Sequence, residues 1–310
     1  MKKLIVFDMD GVLVDVSCSY RDVTRKAAYI FLKDCHGGEL LPEPMFGFDE
    51  LAEVKQRGGL NNDWDMTYHV ISMLLTMADT DSAERENWDV TGLASFLKDT
   101  PRPLAALLKK GKLSDAAVRY YSGDVGSGNV IKQIFQEIYL GQELFRKTYS
   151  IDASYFKCPG YILKEKLFVN ADILKALAED NILAVATGRP RDEALYPLEK
   201  NGLDMFSCIM SLDECAEAER LELERTGKKV SFAKPSPFML DTLAEKYPGL
   251  KYIYAGDVGD DMIAAKSSRY GYKAVGIVYS APDRNISRDS LLKCGADILA
   301  EDPEELLDLR

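Results

Sequence analysis

Histidine is almost missing from this chain: its 310 residues hold two, His36 and His69. With neither a Gly-x-Ser-x-Gly nor a His-Glu-x-x-His stretch present, the serine-hydrolase and zinc-protease plans find no support. The six cysteines (Cys18, Cys35, Cys158, Cys208, Cys215 and Cys294) are scattered and form no Cys-x-x-Cys pair. That argues against a zinc site or a redox motif, and a reduced, cytoplasmic protein is expected. The N-terminus turns acidic too quickly for a secretory signal. No apolar run approaches the roughly twenty residues of a membrane span. Positive charge is also short, with 39 Lys and Arg against 50 Asp and Glu and a net charge of -11. Non-specific binding of nucleic acid is therefore not expected, since it needs a basic surface. An anionic substrate stays possible if local cations or a metal receive it.

What is present is ordinary for a globular protein: 46% hydrophobic and 29% charged residues, enough for a sizeable core in one large domain or two moderate ones. Short apolar runs read as strands at 3–8, 182–187, 206–210, 251–256 and 272–279, with a short sixth in "ADILAED". Helical spacing alternates with them in "NADILKALAED", "SLDECAEAERLELER", "PSPFMLDTLAEKY" and "DMIAAKSSRYG". The second of these opens with the capping-box pair Ser211 and Glu214. Such alternation predicts an α/β fold, a Rossmann-like parallel sheet with helices on both faces.

The interval from 16 to 168 breaks that rhythm. Seven stretches in it read as helices: "SYRDVTRKAAYIFLKDC", "FDELAEVKQRG", "DWDMTYHVISMLLTMA", "TGLASFLKD", "PLAALLKKG", "SDAAVRYYSG" and "NVIKQIFQEIYLGQELFRKTY". We therefore expect a core of residues 1–15 and 169–310, with an all-helical domain of residues 16–168 inserted after the first strand. The glycine-rich "SGDVGSGN" (122–129) lacks the ending of a phosphate-binding P-loop and reads as a turn.

The first strand runs into "FDMDG" and so ends in two carboxylates, Asp8 and Asp10. The same spacing recurs at Asp63/Asp65 and Asp79/Asp81, beside helical patterns, where a solvated face is the expectation. In a parallel sheet, by contrast, the carboxyl ends of the strands form the ligand crevice. Two carboxylates there raise one another's pKa unless a cation compensates them. The second strand ends in Thr187-Gly188-Arg189, whose hydroxyl and free N–H groups suit a phosphate oxygen. "FAKPSP" supplies Lys234 ahead of a helix, and "GDVGDDM" closes the fourth strand with Asp257, Asp260 and Asp261. Each alone is consistent with a cap, a surface lysine or a turn. Together and in this order they are not easily assigned to chance.

"FDMDGVLVD", "AVATGRP", "AKPSP" and "AGDVGDDMIAA" resemble, in order, the four motifs of the haloacid dehalogenase (HAD) superfamily of phosphohydrolases. The inserted helices resemble a cap of the C1 type, longer than the compact bundle usual for one. The resemblance implies that Asp8 is the nucleophile that takes the phosphoryl group and that Asp10 is the general acid and base. It implies phosphate binding by Thr187, Gly188 and Lys234. It implies Mg²⁺ held by Asp8, the Asp10 carbonyl, Asp257 and Asp261, with Asp260 competing for the last place. Dehalogenases and phosphonate-cleaving relatives lack an acid at the position of Asp10, which favours phosphoryl transfer to or from oxygen.

The expected activity is therefore a Mg²⁺-dependent phosphatase of a small phosphorylated metabolite. A phosphomutase of the same superfamily is the alternative enzyme, and a silent binding or regulatory protein the alternative of another class. In C1-capped relatives a loop between the first cap helices reads the leaving group. That points to Lys55, Arg57, Asn61 and Asn62 in "EVKQRGGLNNDWD". The same stretch also reads as a helical corner, with Gly58-Gly59 ending one helix, Asn62 capping the next and Trp64 packed inside.

Overall fold

The computed structural model describes residues 2–56 and 62–310. The chain divides into two units, Met1–Val16 with Lys166–Arg310, and Ser17–Glu165. Along the chain, β1 (Lys3–Phe7) and β2 (Val14–Asp15) come first. They are followed by α1 (Tyr20–Lys33), α2 (Phe48–Gln56), α3 (Asp63–Leu74), α4 (Thr91–Asp99), α5 (Pro103–Lys110) and α6 (Val130–Tyr149). The first unit then resumes with β3 (Lys166–Leu167), α7 (Ala171–Asp180), β4 (Ile182–Ala186), α8 (Arg191–Lys200), β5 (Phe206–Met210) and α9 (Leu212–Thr226). It ends with α10 (Phe238–Lys246), β6 (Lys251–Gly256), α11 (Gly259–Ser267), β7 (Lys273–Ile277), α12 (Arg284–Lys293) and β8 (Ile298–Ala300). None of the described helices is long and apolar enough to cross a membrane.

Six strands form one sheet in the order β5-β4-β1-β6-β7-β8, and every neighbouring pair is parallel. β1 is central and buried on both faces. Ile5 and Phe7 pack with Ile173, Leu174 and Leu177 of α7, while Leu4 and Val6 pack with Met239, Leu240 and Leu243 of α10. A strand covered on both sides has no polar face, which is why it reads as an unbroken apolar run. β1 pairs with β4 on one side and β6 on the other. The connections thus leave it in opposite directions, so its carboxyl end lies at a topological switch point, where an open α/β sheet forms its ligand crevice.

Two helices went unread in the sequence. α8 carries Pro197 in its interior, and α12 is mostly polar and buries chiefly Leu291, so neither shows a clear apolar stripe. The capping box of α9 is present, with Ser211 and Glu214 bonded reciprocally.

In the Ser17–Glu165 unit, α1 packs against α3 and α6. Tyr20 stacks on Tyr139 with ring centroids 4.4 Å apart. The stretch "SDAAVRYYSG" is a 3₁₀ helix over Asp115–Tyr121 rather than an α-helix. The Asp63/Asp65 pair is not a solvated face: both are half-buried, and Asp65 accepts a hydrogen bond from the Tyr121 hydroxyl at 2.6 Å. "SGDVGSGN" is a turn whose last residue, Asn129, caps α6 by accepting from the N–H of Lys132.

α6 is not one unbroken helix. Gly141 adopts φ 73° and ψ 169° within it, a combination open essentially only to glycine. The chain there lies against residues 158–160, and the Gln142 N–H donates to the Cys158 carbonyl at 3.2 Å. A Cβ on Gly141 would sit 2.1 Å from the backbone nitrogen of Gly160. Just before the break, the buried Glu137 carboxylate accepts from the N–H groups of Ser154, Tyr155 and Phe156, at 3.0, 2.6 and 2.9 Å. Gly141→Ala is expected to cost about 3 kcal/mol, read as a lower thermal midpoint in calorimetry. An unchanged midpoint would show that the break relaxes freely.

Candidate active site

The site begins where the central strands end. The Asp8 N–H continues the β1–β6 ladder, donating to the Ala255 carbonyl at 2.8 Å, so its backbone has no freedom to leave the sheet. Thr187 is fixed in the same way after β4, its N–H bonded to the Met210 carbonyl at 2.9 Å. Asp257 follows β6 directly. Lys234 lies in the loop ahead of α10, and Asp261 lies in the first turn of α11.

Lys234 joins the acids. Its Nζ is 2.7 Å from Asp8 Oδ1 and 2.8 Å from Asp261 Oδ1. Asp261 is completely buried. It also accepts from the Tyr254 hydroxyl at 2.7 Å and from the Val258 N–H at 3.2 Å. Burial pushes the Asp8 carboxyl up to about 7 against the pull of Lys234, with Asp261 and Asp10 adding repulsion. Burial, followed by the charges of Asp261 and Asp8, holds the Asp257 carboxyl well above the ordinary range. For Lys234, burial works against the ammonium, yet the carboxylates of Asp261 and Asp8 raise its pKa overall.

Asp8, Asp257 and Asp261 each offer a carboxylate oxygen, and these oxygens lie within 4.8 Å of one another. Three hard oxygen donors with no nitrogen or sulfur suit a hard divalent cation of the Mg²⁺ kind. The raised pKa of Asp257 supports the fit, because a cation there would compensate a carboxylate that burial first, and the neighbouring acids second, hold above the ordinary range. Between the two acids that the sequence left in competition, the buried Asp261 belongs to this group, while Asp260 lies outside it.

Asp10 has a different partner. Beyond Met9 the chain turns, with the N–H groups of Leu13 and Val14 both donating to the Met9 carbonyl at 2.9 Å. Gly11 makes that turn at φ +74°, and a Cβ on it would fall 2.1 Å from Asp257 Oδ2. The glycine thus lets the turn and the acid occupy neighbouring space. The antiparallel pair β2–β3 and a 2.7 Å bond from the Tyr279 hydroxyl to the Val12 carbonyl hold the far side of the turn. The Asp10 carboxylate accepts from Arg189, with Nε at 2.7 Å and a terminal guanidinium nitrogen at 2.5 Å.

Arg189 and Tyr254 were not recognised as site residues from sequence. An arginine opening a helix reads as a surface cation, and a tyrosine inside a strand reads as core. The one available signal for Arg189 was its position directly after Thr187-Gly188.

Residues 2–269 match the family of haloacid dehalogenase-like hydrolases. The chain belongs to that family. Solved structures agree at the level of fold. One, an X-ray structure of a Northeast Structural Genomics Consortium target, shares 21% identity with a TM-score of 0.68, covering 100% of this chain and 98% of its own. Phosphatase Tt82 from Thermococcus thioreducens shares 20% identity with a TM-score of 0.57, covering 93% of this chain and 99% of its own. A search of curated proteins finds no match.

In this HAD-like hydrolase the residues named for substrate reading fall in the Ser17–Glu165 unit. Asn62 caps α3, accepting from the N–H groups of Trp64 and Asp65, and Lys55 lies 3.8 Å from Asp63. Trp64 is half-buried and donates to Gln136 at 3.3 Å. Arg57, Gly58, Gly59 and Asn61 lie outside the described residues.

The acid cluster sets a pH test. Asp8 titrates at 3.8 when unperturbed and at about 7 in the fold, so the folded state binds that proton more tightly. Its contribution to stability is complete below 3.8 and is lost as pH rises through about 7. The thermal midpoint of metal-free protein is therefore expected to fall from about pH 6 to pH 8. Added Mg²⁺ is expected to raise it more at pH 8 than at pH 6, and Asp257→Asn to shrink that gain. A Mg²⁺ effect of equal size at both pH values, or none, would separate the acid cluster from cation binding.

Proposed function

We propose that this hydrolase is a Mg²⁺-dependent phosphatase that acts on a small phosphorylated metabolite in the cytoplasm, through an aspartyl-phosphate on Asp8. The observation that carries the reading is Lys234 held between Asp8 and Asp261 beside Asp257, at the switch point of the sheet. The Ser17–Glu165 unit has the place of a C1-type cap in this reading.

The roles follow from chemistry. Ladder hydrogen bonding fixes the Asp8 backbone, so its carboxylate can be presented in line with the bond to the leaving oxygen. A new Asp8 O–P bond forms as the bond from phosphorus to the leaving oxygen breaks. Asp10 gives its proton to that oxygen, and in the second half takes a proton from the water that attacks phosphorus, releasing inorganic phosphate and restoring Asp8. Lys234, the Thr187 hydroxyl and the backbone N–H of the exposed Gly188 offer donors to the phosphoryl oxygens. Asp8, Asp257, Asp261 and the Asp10 carbonyl would hold Mg²⁺, which when bound offsets the negative charge of nucleophile and phosphoryl group.

The test is release of phosphate from a panel of phosphorylated metabolites and from p-nitrophenyl phosphate, with Mg²⁺ and after EDTA. Asp8→Asn is expected to abolish turnover in a folded protein, because the nearly isosteric amide cannot attack phosphorus. Activity that survives EDTA, or that persists in Asp8→Asn, would overturn the reading. Among the residues named for substrate reading, Arg57 and Asn61 are the ones to vary, because Asn62 caps a helix. Arg57→Ala and Asn61→Ala are expected to raise KM for the best metabolite severalfold and to leave KM for p-nitrophenyl phosphate nearly unchanged.

A further inference from the structure

We propose that Arg189 is the positioning residue for Asp10, fixing the orientation in which that carboxyl meets the leaving group. The inference rests on the phosphatase reading above and adds a residue to it.

The pair is asymmetric. Arg189 is 2% exposed, whereas the Asp10 side chain keeps 35% of its surface open. Burying a guanidinium in a core is costly unless it is paired and hydrogen-bonded, so its position reflects a partner that requires it. Both of its contacts to Asp10 fall on Oδ1, which leaves Oδ2 as the oxygen through which Asp10 reaches a substrate.

Arg189 is itself held from several directions. Its N–H donates to Thr187 Oγ1 at 3.1 Å, and its carbonyl accepts from the Leu212 N–H at 2.9 Å. A further guanidinium nitrogen donates to the Glu193 carbonyl, one turn along α8, at 3.2 Å. Its planar fork is therefore aimed by the end of β4 and the start of α8 and α9. Asp10, by contrast, sits in a turn outside the sheet. A rotamer-rich carboxyl on a turn is poorly placed for proton transfer unless a neighbour restricts it, and acid–base catalysis depends first on geometry. The same peptide links the phosphate-binding end of the site to its acid, since Thr187 accepts from the residue that orients Asp10.

A guanidinium that only neutralises Asp10 for folding would leave no leaving-group signature, and this separates the two roles. The experiment compares wild type, Arg189→Ala and Arg189→Lys on p-nitrophenyl phosphate and on phenyl phosphate, whose more basic leaving oxygen depends more on Asp10. For Arg189→Ala, kcat on phenyl phosphate is expected to fall on the order of 10²-fold, against about tenfold or less on p-nitrophenyl phosphate. Millimolar guanidinium chloride is expected to restore part of the phenyl phosphate activity in Arg189→Ala and none in Asp10→Ala, with sodium chloride as the control. Arg189→Lys keeps the charge and loses the fork. It is expected to show the same selectivity without rescue, and it serves alone if the alanine variant does not fold.

Equal losses on both esters in variants with near-wild-type melting, together with no rescue, would overturn the proposal and leave the phosphatase reading standing. A wild type that hydrolyses neither ester nor any metabolite of the panel would overturn that reading, and the role of Arg189 with it.

Discussion

One ammonium group between two buried carboxylates organises this site. Parallel strands deliver Asp8 and Asp257 side by side at the centre of the sheet because β1 and β6 are neighbours in register. The first turn of α11 adds Asp261. Left alone, such a cluster would resist ionisation. Lys234 reaches Asp8 and Asp261 from a separate loop, and the Tyr254 hydroxyl gives Asp261 a further donor. Asp261 is thereby committed, with one oxygen shared between two donors and the other bonded to the Val258 N–H. It seats Lys234, and in the proposed reading it would also complete a cation site while Asp8 reacts.

The two acids of "DMD" are managed by different cations, and the difference is chemical. A lysine is a point charge on a flexible stem and can follow a carboxylate whose charge changes as a covalent bond forms. An arginine is a rigid fork that sets direction. Lys234 faces the carboxylate that in the proposed reading would become an acyl phosphate, and Arg189 faces the one that would hand on a proton. Charge alone does not distinguish the two, since Asp8 and Asp10 each meet one cation.

The sheet was legible in the sequence because burial on both faces leaves apolar runs that no helix period explains. β1, β4, β5 and β6 stand within a residue of where those runs placed them, and β7 is shorter at both ends, Lys273–Ile277 instead of 272–279. The acids were legible for the complementary reason: charge is conspicuous where it interrupts such a run, as Asp8 does. What stayed hidden depends on contacts between residues far apart in the chain. Asp10 and Arg189 are separated by 179 positions, and nothing local distinguishes Arg189 from a solvent-facing arginine at a helix start. Asp65 was misread for the same reason, its partner Tyr121 lying 56 positions away. α8 and α12 escaped because each spends few side chains on the core, and the break in α6 escaped because Gly141 sits inside an otherwise sound helical period.

The charge balance of the site decides what it can receive. Asp8, Asp10, Asp257 and Asp261 face Lys234 and Arg189, four potential anions against two cations. Both cations are already engaged, Lys234 by Asp8 and Asp261 and Arg189 by Asp10. In a chain of net charge -11, a doubly charged phosphate ester brought to these side chains alone would meet repulsion on balance. Backbone N–H groups at the start of a helix ease this by partial charges only. A divalent cation among Asp8, Asp257 and Asp261 would bring these side chains to neutrality, because it offsets two of the four negative charges, and would leave Lys234 able to share itself with the incoming oxygens. In the proposed reading, the acid excess that makes the cluster uncomfortable in isolation would thus couple cation binding to substrate binding.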